Sequence, residues 1–138
     1  MSTSLTDMRE ALYAGVLAAA GSVHVEWENK GKLDPPELLE SHIRVDVDPS
    51  KTISAMGIHA YEEHRGILLL TIYCPLDMGT SELTGIADQI RDTMHRGAVF
   101  SSGGVDVRIE RFQMNSISYQ KAWATMPISI YWHSYIPS

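Results

Sequence analysis

The chain has a single cysteine, Cys74, so an internal disulfide is excluded. Cys74 lies in an apolar run and reads as a small hydrophobe, compatible with a reducing place of synthesis. Nothing pairs two cysteines as CxxC, no HExxH occurs, and no acidic loop has the spacing of a cation site. The ligand sets that structural and catalytic metals need are therefore missing. No segment reaches the roughly 20 apolar residues that span a membrane. The stretch from Leu5 to Ala20 comes nearest to a targeting signal, but Asp7, Arg9 and Glu10 interrupt it, so it reads as a helix. Positive charge is scarce. Eleven Lys and Arg against 17 Asp and Glu leave a net charge of −6, which argues against general nucleic-acid binding by phosphate neutralisation. There is no internal repeat, low-complexity tract or linker. The 138 residues, 44% of them apolar and 20% charged, read as one domain, 1–138, able to bury a core.

What is present is organised around residues 65–97. Ile67 to Cys74 is an almost unbroken apolar run between Gly66 and Pro75, the pattern of a strand buried on both faces. Asp77-Met78-Gly79 then turns the chain into a helix capped by Thr80 or Ser81. Its stripe is Leu83, Ile86, Ala87, Ile90 and Met94, and Gly97 follows its end. Upstream, Ser4 to Ala20 makes a first helix with Leu5, Met8, Leu12, Val16 and Ala19 inward and Gly21 at its end. Val23, Val25 and Trp27 alternate with polar residues as a half-wet strand, and a loop from Asn29 to the Pro35-Pro36 pair follows. Leu38 to Asp48 predicts a strand with Ile43, Val45 and Val47 on one side. The turn at Asp48-Pro49-Ser50-Lys51 makes Thr52 to Ile58 its hairpin partner.

His59 to Arg65 reads as a polar connection and Ala98 to Gly104 as a loop. Val105 to Glu110 reads as a half-exposed strand. Phe112 to Trp123 is aperiodic, a strand continuation plus loop or an extended arm. Met126 to His133 is the last strand, with Pro127 marking its start or a sheet edge. The expected fold is α+β: a mostly antiparallel mixed sheet of about six strands, with two amphipathic helices packed on one face. The second face is then left to water or to another subunit.

Chemistry is thin along this chain. His59 and His64 are five apart in a predicted loop, and His24, His42, His95 and His133 fall on separate elements, so exposed or interface histidines are the plain reading. Asp46 and Asp48 share a strand face and can do acid–base work in a cleft or bind a cation, but beside Pro49 a solvated strand end fits them better. Ser101 and Ser102 have no neighbouring base, no nucleophile elbow surrounds a serine, and Gly103-Gly104 does not join a strand to a helix as a phosphate cradle does. The aromatic residues carry more. Trp27 and Trp132 either close the core or anchor an interface. Tyr131 lies out of phase with Ile130 and Trp132, so both faces of the last strand are apolar, as when a second subunit covers one.

These pieces together resemble the tail-terminator-like proteins of long-tailed bacteriophages. The resemblance runs nearly the full length. It rests on Val25-Glu26-Trp27-Glu28-Asn29 with its proline-containing loop, Val45-Asp46-Val47, and Arg65-Gly66 before the apolar strand. It continues through Tyr73-Cys74-Pro75 with Gly79, Ile86-Ala87-Asp88-Gln89-Ile90, and Pro127-Ile128-Ser129-Ile130-Tyr131. It implies a structural virion protein, not an enzyme, that forms a ring, usually a hexamer. The ring caps the tail tube at full length and offers the surface to which the head attaches. Implied partners are copies of itself, the major tail protein and a head-completion or neck protein. DNA passes the lumen without sequence-specific contact, no membrane is involved and no cofactor is implied. The location is the head-proximal end of the virion tail, after assembly in the host cytoplasm. A neck adaptor of the same virion, or a small ligand-binding or enzymatic domain, are the alternatives. The expected contact residues are Trp27, Glu28 and Asn29, His59, Tyr61 and Arg65, Ser101, Ser102, Gly103 and Gly104, and Tyr131.

Overall fold

The structure, a computed structural model, describes residues 5–27, 41–47, 51–56, 61–76, 80–120 and 123–137. Its elements are, in order, α1 (Leu5–Ala20), β1 (His24–Glu26), β2 (His42–Val47), β3 (Lys51–Met56), β4 (Tyr61–Pro75), α2 (Thr80–Thr93), β5 (Val99–Ser102), β6 (Val105–Met114), β7 (Ser118–Gln120) and β8 (Trp123–Pro137). All strands join one sheet with the order β1-β2-β4-β8-β6-β5, β3 pairing β4 and β7 pairing β8. Every pair is antiparallel except β1 with β2. The fold is α+β, as the element order predicts.

At its centre β4 and β8 run side by side without a register break, from Tyr61 against Pro137 to Pro75 against Trp123. A strand has two edges, and β8 occupies one edge of β4, so β2 and β3 must share the other. They do: β2 lies along Leu68–Tyr73 and β3 along Tyr61–Arg65. The predicted hairpin between the second and third strands is therefore corrected. These strands are collinear, and β4 is the partner of both. From Val47 against Leu68 to Lys51 against Arg65 the register along β4 moves by one residue and the strand direction is kept. The outer edge of β8 is divided the same way between β6 and β7, with a bulge at Glu110.

That division explains Pro127, which sits inside β8 and not at its start or at a sheet edge. Proline donates no ladder hydrogen bond, and β8 carries it where its partner line breaks between Met114 and Ser118. There the Asn115 backbone N–H (3.0 Å) and Nδ2 (3.1 Å) both donate to the Pro127 carbonyl. Extra residues on one line of a ladder increase local twist, and both flanking lines carry them.

Both helices lie on one face. α2 covers β4 and β8, while α1 packs on α2, β5 and β6 and reaches β1. The predicted stripes are buried at Met8, Leu12, Val16 and Ala19 of α1 and at Leu83, Ile86, Ala87, Ile90 and Met94 of α2, while the Leu5 side chain lies outside the described residues. They meet Ile43 and Val45, Leu68, Leu70, Ile72 and Cys74, Val105, Val107 and Ile109, and Met126, Ile128, Ile130 and Trp132. The ends of the helices are tied together. Gly21 takes φ 60° past α1, and Gln89 Nε2 donates to the carbonyls of Ala19 (2.8 Å) and Ala20 (2.7 Å), which have no partner within α1.

Four further expectations change. The run Ile67–Cys74 is buried on one face only, because Ile67, Leu69, Thr71 and Tyr73 are half-buried on the side without helices. His59 to Arg65 is not a connection throughout, since β4 begins at Tyr61; residues 57–60 lie outside the described residues. Ala98 to Gly104 holds β5, whose pairing with β6 turns at Gly103 (φ 58°) and Gly104 (φ 84°), a two-residue hairpin that positive φ at both positions allows. Phe112 to Trp123 is the end of β6, then β7 and the start of β8.

Gly66, which reads in the sequence as punctuation, is the floor under Trp132. The two are register partners, and a Cβ on Gly66 would stand 2.5 Å from Cζ2 of the buried indole. Gly66→Ala is expected to cost about 1–3 kcal/mol by forcing the ring off its seat, measured as the urea midpoint at an unchanged slope. Burial pushes the Cys74 thiol up. The native protein should resist iodoacetamide in mildly alkaline buffer and the unfolded chain should react, and rapid native alkylation would contradict this packing.

Candidate assembly surface

The face without helices is a strip of cross-strand pairs along β4 and β8: Ile67 with Tyr131, Leu69 with Ser129, and Thr71 with Pro127. All six residues are half-buried. Tyr131 is capped by Arg111 from β6, its guanidinium carbon 4.7 Å from the ring centroid. Arg111 in turn hydrogen-bonds Gln113, and Gln113 Nε2 donates to Asn115 Oδ1 (3.2 Å), so a polar row lines the apolar strip.

At the Pro75 end the strip finishes in an aromatic and charged cluster. His42 and Tyr73 are register partners with rings stacked 4.8 Å apart, and Trp123 meets His42 edge-on at 5.1 Å. Parallel pairing sets Glu26 of β1 beside Arg44 of β2. Arg44 Nε donates to Glu26 Oε1 (3.0 Å), its Nη1 to the Tyr73 hydroxyl (3.3 Å), and its guanidinium lies over the Tyr73 ring at 4.8 Å. Glu26 is 8% exposed and His42 only 2%. Both are polar-phase residues of half-wet strands in the sequence; Trp123 and Tyr73 pack against His42, and Glu26 lies under Arg44 beside His42. Alternation gives their side of the sheet but not this cover, which comes from neighbouring strands.

The other end is ionic. Arg65 Nε donates to Glu63 Oε2 at 2.6 Å, and that bond, with Glu110 adding, pushes the exposed guanidinium further up from its ordinary range. His133 is the register partner of Arg65 on one side and Arg108 on the other, and its Nδ1 lies 2.6 Å from Glu110 Oε2. Tyr135, 45% exposed, meets His133 edge-on.

The expected contact residues are dispersed over the fold. Arg65 and Tyr131 share the open face, one pair apart along β4 and β8. Trp27 is partly buried, 4.8 Å edge-on from Tyr13 of α1, so its ring closes the core margin. Ser101, Ser102, Gly103 and Gly104 form the tight β5–β6 hairpin and not a long loop, with Gly103 against the Asp7 carboxylate. Tyr61 opens β4 opposite Pro137. Glu28, Asn29 and His59 lie outside the described residues. Asp46 is exposed on β2, and Asp48 is not described. Among the described residues no group of three or more His, Cys, Asp or Glu is placed to hold a metal ion.

The helix-backed sheet thus leaves its second face half apolar and rimmed by arginines. The chain belongs to the family of phage tail terminator proteins, whose family model matches residues 7–132. It is thus a structural protein of a phage tail. One solved structure aligns over 96% of this chain and 96% of its own, with a TM-score of 0.76 at 22% identity. A chain from the virion of a native gene transfer agent particle aligns over 100% of both, with a TM-score of 0.53 at 12% identity. At these identities the likeness is one of fold. No curated protein matches.

The Glu26–Arg44 pair offers a direct test of how this face is held. Arg44→Ala leaves a carboxylate buried beside His42 without its strongest partner, and is expected to lower stability by roughly 3 kcal/mol. Glu26→Gln with Arg44→Met together should recover most of that loss in a double-mutant cycle by urea unfolding.

Proposed function

We propose that this protein ends tail growth. Copies join in a ring, in this reading a hexamer, on the last turn of the major tail protein, stop its polymerisation, and present the opposite ring face to a neck protein of the filled head. The family match over residues 7–132 carries the reading. The open face supports it, because one-layer cover of a sheet that is apolar on both sides suits a subunit completed by its neighbours. Its work in this account is adhesion and shape, without bond chemistry or cofactor. The net charge of −6 suits a channel along which DNA slides without sticking. The protein then belongs at the head-proximal end of the tail. Arg65 and Tyr131 of the open face, with the Ser101–Gly104 hairpin, are the described residues we assign to its contacts.

Deleting the gene from the phage and measuring tails by electron microscopy tests this. Overlong tails without heads are expected, and restoring the gene should return one fixed length. Tails of normal length beside detached heads would overturn tube capping in favour of a neck role.

A further inference from the structure

On β6 two arginines stand without an acid. Residues directly opposite in a ladder share a face, so Arg108, in register with His133, lies on the face without helices. The bulge at Glu110 brings Arg111 onto that face as well, in register with Tyr131. Regular alternation would have sent it to the helix side. His133 and Tyr131 are two residues apart along β8, so the arginines sit in adjacent rows about 7 Å apart. The carboxylates around them are taken: Glu63 by Arg65, Glu110 by His133, and Asp106 by the Ser101 hydroxyl. Arg108 and Arg111 are both exposed, and among the described residues neither forms an ion pair.

The opposite side of the domain carries the converse. α2 packs on β4 and β8 through its buried stripe and turns Ser81, Gly85, Asp88 and Asp92 outward. Asp88 and Asp92 are four apart, so their side chains stand one turn from each other, about 6 Å. Asp92 forms no ion pair among the described residues, and Asp88 has only the exposed Arg91 at 3.7 Å, a contact worth little in water. Gly85 stands on the turn before Asp88, and a Cβ there would meet nothing within 4 Å. Glycine inside a helix costs about 1 kcal/mol against alanine. Nothing inside the subunit requires that cost; a second backbone passing close to α2 gives it a reason.

We propose that α2 of one copy docks on the β6 side of the open face of the next, with Asp88 and Asp92 taking the guanidinium forks of Arg108 and Arg111. Charge complementarity selects that occupant. Two unpaired guanidiniums and two weakly held carboxylates, at closely similar spacing, lie on opposite faces of one chain, so a second copy supplies the missing half of each. Arginine–carboxylate forks fix register as well as contribute energy. Carboxylates that draw Arg111 off the Tyr131 ring also uncover the apolar strip for the small residues of α2. Because the two patches lie on opposite faces, each docked copy keeps one of them for the next, the head-to-tail pattern that a ring requires. This deepens the capping reading and rests on it.

The test uses the full chain in three forms: Arg108→Glu with Arg111→Glu, Asp88→Arg with Asp92→Arg, and all four changes together. The fourfold variant keeps the parent's −6, since its acid-to-arginine changes add +4 and its arginine-to-acid changes −4. All four positions are exposed, and such substitutions seldom exceed about 0.5 kcal/mol each, so melting should stay near the parent's. Self-association is followed by native mass spectrometry, with the protein free and on purified tail tubes. Each twofold variant is expected to reduce oligomers at least about tenfold, the loss of roughly 1.4 kcal/mol of contact. The fourfold variant, in which every contact is matched again with its signs exchanged, should return to the parent level. A fourfold variant as weak as the twofold ones overturns the proposal, because a different protein on either patch is not restored by changes made in this chain alone. Twofold variants that assemble like the parent overturn it too, as does a parent that stays monomeric both free and on tubes. If gene deletion leaves tail length normal, the capping reading falls, and the measurement on free protein alone then decides on this contact.

Discussion

Two strands of equal length, paired over their whole run, set the terms for everything else in this protein. β4 and β8 form a ladder of fifteen residue pairs, longer than any other strand can follow. Their outer edges expose more backbone groups than one ordinary strand satisfies. Each edge is therefore served twice, by β2 and β3 on one side and by β6 and β7 on the other. Where two short strands share an edge, a residue too many must be placed somewhere. The register step between Val47 and Lys51, the break at 115–117, the bulge at Glu110 and the irregularity after Thr52 are those places. The twist that such insertions add bends the sheet around its helices, and α1 consequently touches both β1 and β5, the two ends of the strand order.

Curvature also decides where large side chains fit. On the helix side, Gly66 gives up its side chain so that the Trp132 ring can lie flat on the β4 backbone. Gly15 does the same for Phe100 under α1. In each pair the smallest residue and one of the largest face each other, so the ring takes the space a side chain would fill. Glycine here serves close approach. Among the described residues, it serves a positive φ at Gly21, Gly97, Gly103 and Gly104.

The sequence revealed those features whose cause is local. Helix stripes were legible because a residue four positions away reports the same face, and Leu83 through Met94 and Met8 through Ala19 lie where periodicity put them. Alternation on Val105, Val107 and Ile109 likewise held until Glu110 broke the phase. What alternation cannot carry is pairing. Nothing between Asp48 and Lys51 distinguishes a reversal from a jog, so β3 was assigned to β2 when both belong to β4. The outer ends of β4 and β8 are not legible in the sequence because Tyr61–Arg65 and Ser134–Pro137 mix charge, aromatics and proline. They are strands because they complete each other's ladder. The site was less legible still. Glu26 and Arg44 read as two wet residues on separate strands, and only parallel pairing of β1 with β2 makes them one buried ion pair.

Left bare, the strip of Ile67, Leu69, Pro127 and Tyr131 would invite indiscriminate contact. Arg111 over Tyr131 and Arg44 over Tyr73 supply a partial lid, each cation resting on a ring at under 5 Å. Such contacts contribute about 0.5–1 kcal/mol where water still reaches them, enough to hold a guanidinium in place but too little to hold it against a better partner. The two lids differ in how firmly they are held. Arg44 is fixed by buried Glu26, while Arg111 is exposed and, among the described residues, hydrogen-bonds the neutral Gln113. Protein arriving over this face would therefore displace Arg111 first and uncover the Tyr131 end before the Tyr73 end. The order follows from which arginine has a buried carboxylate beneath it.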